Sequence, residues 1–175
     1  MIRTDAHNRT RTGPSEPYIV VADARSYPER PILAVSAAIV RAGGVLVVRR
    51  ARSPAQGLFS LPGGVVEIGE TLTQAVVREV REETSLVIEP VGLAGFRETI
   101  TRDGADRVER HFVILPFAAH WRAGEAVLNE ELSEARWVRP AELAGLPTTP
   151  GLGEIVAGAF KLLQAAGDNA IFPAV

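Results

Sequence analysis

Between Gly63 and Leu86 the chain reads GGVVEIGETLTQAVVREVREETSL, which sets five carboxylates, Glu67, Glu70, Glu79, Glu82 and Glu83, against Arg78. Glu79 precedes Glu82 by three residues and Glu83 by four, so on a helix all three lie on one side, about one turn apart. Like charges at that spacing repel and destabilise the helix that carries them. A hard divalent cation, Mg2+ or Mn2+, offsets the repulsion, because such ions take carboxylates, waters and substrate phosphates as oxygen ligands. A glutamate-rich helix can also be a solvated face. The surrounding segment favours the ion.

That segment carries the signals of a helix with separate faces. Thr71 followed by Gln74 fits the capping box that starts a helix. Leu72, Ala75, Val76 and Val80 supply a buried stripe at the 3.6-residue period, which leaves the acidic edge apart from the core face. The preceding turn, GVVEIGET from Gly64 to Thr71, has the spacing of a P-loop but puts Glu70 where the lysine belongs. A P-loop needs that lysine to reach the β- and γ-phosphates. An acidic loop meets phosphate only through a bridging metal.

Gly64, five residues, Glu70, seven residues and then Arg78-Glu79-Val80-Arg81-Glu82-Glu83-Thr84-Ser85-Leu86 resembles the Nudix box, Gly-x5-Glu-x7-Arg-Glu-apolar-x-Glu-Glu-x-Gly-apolar. One defining position departs: Ser85 stands where the family has glycine. Leu61-Pro62-Gly63-Gly64, with Phe59 where tryptophan is common, extends the similarity upstream, and in diffuse form it covers residues 31 to 146. Glycine at the box end closes the helix in a left-handed conformation, which costs another residue about 1 kcal/mol. Serine either adopts that conformation at this penalty or lets the last turn loosen, so Ser85 is expected to lower stability slightly and to spare the chemistry.

The resemblance implies an α/β fold, the Nudix fold, with a mixed β-sheet in an α/β/α sandwich. It also implies a hydrolase that uses Mg2+ (or Mn2+) to direct water onto phosphorus in a nucleoside diphosphate linked to another moiety. By similarity Glu79 and Glu83 are metal ligands, with Glu82 close behind and the carbonyl of Gly63 or Gly64 completing the shell. Arg78 would orient Glu70 or a helix glutamate through a bidentate pair. The general base is either a box glutamate, Glu82 or Glu83, or an acid late in the chain. Glu130 and Glu131 sit where many members carry such an acid, with Glu134 the weaker choice and a solvated loop the plain alternative. Arg49, Arg50 and Arg52 follow an apolar run, so one of them is a candidate grip on a substrate phosphate; solvated strand-end charges are the competing reading. Phe59, Phe96 and Trp137 are candidates to stack on a base, although aromatics among apolar residues usually belong to the core. His111 and His120 have no partner at metal-ligand spacing.

Within the family the segments VVRR and EARWV look most like the bacterial ADP-ribose and ADP-sugar pyrophosphatase branch. The proline that often follows the box in ADP-ribose enzymes is absent, with Thr101 and Arg102 in its stretch, as is the tyrosine associated with dinucleoside polyphosphate cleavage. A house-cleaning (d)NTP pyrophosphatase is the enzymatic alternative. A nucleotide-binding regulator that has lost catalysis is the other, disfavoured because the box glutamates are intact.

The elements that must hold this site can be read outward from it. Ile32–Val40 and Val45–Arg49 read as a hairpin about Gly43-Gly44, and Phe59–Leu61 and Val65–Ile68 flank the Pro-Gly-Gly turn. Val87–Thr101 and Arg110–Trp121 are rich in β-formers around a turn at Arg102-Asp103-Gly104, and Arg136-Trp137-Val138 reads as a last short strand. Pro140–Leu143 starts a helix, and residues 152–165 suggest a C-terminal amphipathic one. The domain expected from this covers residues 31–168, after an N-terminal extension of residues 1–30 and before a tail of residues 169–175. Residues 1–17 read as a loose arm and Tyr18–Ala22 as a short strand. The extension either packs on a neighbouring subunit, since homodimers are frequent in the ADP-ribose branch, or stays disordered.

At 175 residues, 46% hydrophobic and 23% charged, the chain has enough apolar material for one sizeable core. A net charge of −2 and the lack of basic–aromatic interleaving argue against nucleic acid or an anionic membrane as partner. The absence of cysteine excludes disulfides, thiolate zinc and cysteine nucleophiles, and fits a reducing compartment. With no apolar stretch of signal-peptide or membrane-spanning length, the expected location is the cytoplasm.

Overall fold

The computed structural model describes residues 25–53 and 55–169. The expected arm, the Tyr18–Ala22 strand and the tail beyond Asn169 lie outside the described residues.

Strand β1 (Ile32–Arg41) turns back into β2 (Gly44–Arg50) through the expected hairpin, with Val40 opposite Val45 and Arg41 opposite Gly44. On its other side β1 runs parallel to the long strand β6 (Val108–Ala123), from Ile32 opposite Phe112 to Val40 opposite His120. The sheet order is β3-β2-β1-β6-β4, where β3 is Phe59–Ser60 and β4 is Val87–Leu93. Strand β5 (Arg97–Arg102) also pairs with β6, and β7 (Leu132–Val138) with β2. All of these pairs except β1–β6 are antiparallel.

The period-two alternation of β1 and β2 decides what covers each face. Val35, Ala37, Ile39, Leu46 and Val48 pack with Ala75, Val76 and Val80 of helix α1 (Leu72–Thr84). Ala38, Val45 and Val47 point the other way, onto Leu152, Val156, Ala159 and Leu163 of α2 (Leu152–Asn169). The result is the α/β/α sandwich implied by the sequence. No helix among the described residues is long and apolar enough to cross a membrane.

The structure refines three of the expected segments. Of the two that flank the Pro-Gly-Gly turn, the first forms β3, while in the second Val65 makes an isolated bridge with Ala34 and Ile68 is fully exposed. The Val87–Thr101 run divides into β4 and β5, because the two pair with different halves of β6 and the chain steps between them at Ala94, whose amide reaches the Pro116 carbonyl. The helix expected to start at Pro140 forms, as a 3-10 helix over Pro140–Gly145.

Candidate active site

The acidic edge is set by how α1 begins and ends. Thr71 caps the helix: its hydroxyl accepts from the Gln74 amide at 3.2 Å, and Gln74 Oε1 accepts from the Thr71 amide at 2.9 Å. At the far end Ser85 adopts the left-handed conformation, φ 60°, rather than loosening the last turn, and its amide closes on the Arg81 carbonyl. With Ala75, Val76 and Val80 committed to the sheet, Arg78, Glu79, Glu82 and Glu83 fall along the side that meets residues 61–66.

That loop is pinned to the free edge of β1. Ala37 donates to the Pro62 carbonyl, Val35 to that of Gly64 and Val66 to that of Leu33, at 2.9, 2.8 and 3.1 Å. The two glycines are required by closeness on both sides. A Cβ on Gly63 would lie 2.2 Å from the Val35 carbonyl oxygen, and its φ of +151° is strained for any other residue. A Cβ on Gly64 would fall 2.4 Å from the Glu79 carboxylate. Backbone and acid thus approach to a distance that only glycine allows.

Arg78 is the hub of the cluster. Its Nε donates to Glu70 Oε1 at 2.6 Å and one Nη to Glu70 Oε2 at 3.0 Å, so of the partners the resemblance left open for a bidentate pair it is Glu70 that takes it. The same guanidinium reaches Glu79 at 2.9 Å, Glu82 at 3.2 Å and the Val65 carbonyl at 3.1 Å. The hydrogen bond from Arg78 holds the Glu70 carboxyl below its ordinary value. Glu79 moves upward instead, because burial outweighs Arg78 and the more distant charge of Arg25.

Glu83 is the extreme member, only 4% exposed. Its Oε2 accepts from the Gly63 amide at 2.8 Å. Burial pushes its carboxyl up to about 7, against that hydrogen bond; Glu79 and Glu131 raise it further and Arg50 opposes. The neighbours are brought there by the helix end, where the Val127 and Asn129 amides take the Thr84 and Glu83 carbonyls.

The late acids therefore separate. Glu131 acts on Glu83, its amide fixed by Asn129 Oδ1 and its carbonyl by the Ala51 amide. Glu130 turns outward and pairs with Arg52 at 2.9 Å, both largely exposed. Glu134 pairs with Arg136 and lies 3.8 Å from Arg49. The arginines separate as well. Arg50 continues the α1-facing alternation of Leu46 and Val48 and reaches Glu83 by its charge. Arg49 faces the α2 side, donating to the Gly57 carbonyl and lying 5.9 Å over the Phe59 ring. Phe59 itself is 2% exposed within the α2-side core, so it cannot stack on a base; burial corrects that expectation. Trp137 packs partly against the α1-side core beside Arg41, and Phe96 is exposed at the β4–β5 step. His111 meets Glu98 on the β5–β6 pair. Arg25 was missed altogether, since no local pattern links it to a helix more than fifty residues later.

The donor chemistry suits a hard divalent cation: carboxylates and backbone carbonyls, with no sulfur ligand in the set. A buried anion at Glu83 with two further carboxylates acting on it is what such a charge stabilises. Among the described residues, no three acidic, histidine or cysteine side chains are grouped so as to hold a metal ion. Arg78 gathers Glu70, Glu79 and Glu82, while the Gly63 amide holds Glu83.

Residues 30–158 match the model of the NUDIX domain. The chain is 35% identical over 107 residues to an ADP-ribose pyrophosphatase of Methanocaldococcus jannaschii, a match covering 61% of each protein. It is 33% identical over 139 residues to the NAD-capped RNA hydrolase NudC of Stutzerimonas stutzeri, covering 78% of this chain and 46% of that one. The chain thus spans less than two thirds of the length of these relatives. Among solved structures, a MutT NUDIX hydrolase from Burkholderia pseudomallei superposes with a TM-score of 0.65 at 31% identity, over 74% of this chain and 98% of that one. On the match over residues 30–158 and this superposition, the chain belongs to the Nudix hydrolase family.

Proposed function

We propose that this protein hydrolyses the pyrophosphate bridge of a nucleoside diphosphate joined to a second moiety, of the ADP-ribose or ADP-sugar kind, in the cytoplasm and with Mg2+ or Mn2+ as cofactor. The observation that carries this reading is Glu83: a buried carboxylate fixed by the Gly63 amide and facing Glu79 and Glu131. A structural helix has no use for an acid so placed, since burying an uncompensated charge costs several kcal/mol or forces a proton onto it.

Glu79 and Glu83 would hold the ion, with Glu82 at the exposed rim. The Gly64 carbonyl accepts from the Val35 amide, which leaves that of Gly63 as the candidate donor of the pair. When bound, the ion neutralises phosphate charge and lowers the pKa of a bound water. Arg78 keeps Glu70 and Glu79 oriented through its fork. Glu131, beside Glu83, is the better candidate to accept the proton of the attacking water; Glu130 serves the loop through Arg52. Arg50 supplies positive charge toward the phosphates, a role its neighbour Arg49 does not share.

The names of the relatives favour the substrate class. ADP-ribose and an NAD cap share an adenosine joined through a pyrophosphate to a second ribose, and both words occur among the matches. The test is release of AMP or phosphate from ADP-ribose, nucleotide sugars, NADH and dNTPs, with and without Mg2+. Turnover of ADP-ribose or an ADP-sugar is expected. Turnover of dNTPs alone would select the house-cleaning activity, and nucleotide binding without turnover would select a regulator.

A further inference from the structure

Residues 124–131 join β6 to β7 and bring the late acids to the end of α1. The loop is tied down along its length. Near its start the Gly124 carbonyl accepts from the Trp121 indole at 3.0 Å, and Glu125 accepts from Arg41 at 3.0 and 3.3 Å. Midway the Val127 amide donates to the Thr84 carbonyl, and Leu128 packs against the α1-side core. At its finish the Glu131 carbonyl accepts from the Ala51 amide at 2.8 Å. These contacts fix the path of the chain, but they leave open which of two adjacent acids turns toward Glu83.

Asn129 supplies the missing constraint with three polar groups. Its amide donates to the Glu83 carbonyl at 3.2 Å, and its carbonyl accepts from the Leu132 amide at 3.4 Å. Its side-chain Oδ1 accepts from the Glu131 amide at 3.0 Å. This last bond closes the turn that asparagine and aspartate make with the amide two residues on. It needs a short side-chain carbonyl: alanine offers no acceptor, and glutamine carries its own one carbon too far. With the turn fixed at Glu131, the neighbouring Glu130 leaves for solvent and pairs with Arg52 at 2.9 Å. Glu131 instead acts on Glu83 by its charge. One residue thus holds the Glu83 backbone by its amide and the Glu131 backbone by its side chain.

From this geometry we infer that Asn129 is a positioning residue for the reaction: its side chain sets the carboxylate of Glu131, and not that of Glu130, against Glu83. The inference rests on the reading of Glu131 given above, as the acceptor of the attacking water's proton. Asn129 touches neither substrate nor metal in that reading and acts only through Glu131. A misplacement of about 1 Å in a reacting group can cost roughly a hundredfold in rate. Removing the Oδ1 bond leaves the Asn129 amide on the Glu83 carbonyl, so the metal side of the site keeps its support. The loss should therefore fall on kcat, with KM and metal affinity spared.

The experiment compares steady-state hydrolysis of ADP-ribose, or of whichever panel member is turned over fastest, at saturating Mg2+. Mn2+ affinity is read in parallel by electron paramagnetic resonance. The proteins are the full chain, its Asn129→Ala, Asn129→Asp, Glu125→Ala and Glu131→Gln variants, and the double variant of Asn129→Ala with Glu131→Gln. Asn129→Ala is expected to lose about tenfold or more in kcat, with KM and Mn2+ affinity within twofold of wild type. Asn129→Asp keeps the acceptor oxygen and should stay within threefold. Added to Glu131→Gln, the alanine should cost nothing further, because the group it positions has already lost its function. A further tenfold loss in the double variant overturns the inference, as does an aspartate no better than alanine. An equal loss in Glu125→Ala overturns it too, since any loosening of the loop would then suffice. Should Asn129→Ala fail to fold, Asn129→Gln carries the same criteria. Unchanged kcat in Asn129→Ala beside a slow Glu131→Gln overturns the inference alone and leaves the role of Glu131 standing. A Glu131→Gln as fast as wild type, or a wild type that turns over no panel member, overturns both.

Discussion

The amide of Gly63 donates to Glu83 Oε2 at 2.8 Å across 20 residues of chain, tying the loop before α1 to the last turn of that helix. The bond stabilises the charged carboxylate, yet burial and the charges of Glu79 and Glu131 act against it more strongly. Glu83 is thus a buried anion short of positive charge, and several consequences can be measured.

Glu83→Gln keeps the shape and removes the charge. With Mg2+ at saturation, turnover of the best substrate should fall by about three orders of magnitude, as expected when charge aimed at a reacting phosphate is removed. Circular dichroism should remain unchanged. A variant retaining more than a tenth of wild-type rate would contradict a ligand or base role.

The same acid makes the metal-free protein sensitive to pH. Its carboxyl stands at about 7 in the fold against 4.5 ordinarily, so between those values the native state binds a proton that the unfolded chain has released. Stability is then greatest below the lower value and falls as pH rises to the upper one, by at most about 3 kcal/mol. Denaturant unfolding in EDTA at pH 5 and pH 8 should show this loss in wild type and much less of it in Glu83→Gln. Equal pH dependence in the two proteins would sink the assignment.

Gly63→Ala and Gly64→Ala should fail in different ways. At Gly63 the new methyl meets backbone atoms of Val35 and Ser36, which cannot yield, at a strained φ. A loss of about 3 kcal/mol in unfolding free energy is expected there. At Gly64 the methyl meets the tip of the Glu79 side chain, which can swing away. Folding should survive with a change of about 1 kcal/mol, while displacement of the acid lowers turnover by roughly a hundredfold. Melting curves and rates on both variants separate the cases; a fully active Gly64→Ala would refute the close contact.

Ser85→Gly restores the residue that suits the observed φ of 60°. It should raise stability by about 1 kcal/mol, because a left-handed conformation costs serine what it does not cost glycine. Turnover should stay within twofold of wild type. A tenfold rise at saturating metal would make the helix end part of the catalytic machinery.

The sequence by itself determined the helix, its capping box at Thr71, the hairpin about Gly43-Gly44 and the acidic edge, because each is a matter of local spacing and turn chemistry. That Arg78 pairs with Glu70 or a helix glutamate was legible for a different reason, the family pattern, and the structure chose Glu70. What spacing could not decide is which of two adjacent charges faces inward. Arg49 and Arg50 are equivalent in the sequence, as are Glu130 and Glu131. Strand alternation and the docking of residues 127–131 on the end of α1 send Arg50 and Glu131 toward Glu83 and their neighbours elsewhere. Phe59 was misjudged for the same reason, since the face a strand residue occupies depends on the layer that covers it. The approach of Arg25 to Glu79 and the bond from the Tyr27 hydroxyl to Asp103 lie deepest in the tertiary structure: they join segments distant along the chain, where no periodicity can be read and only the packing of the sheet brings the groups together.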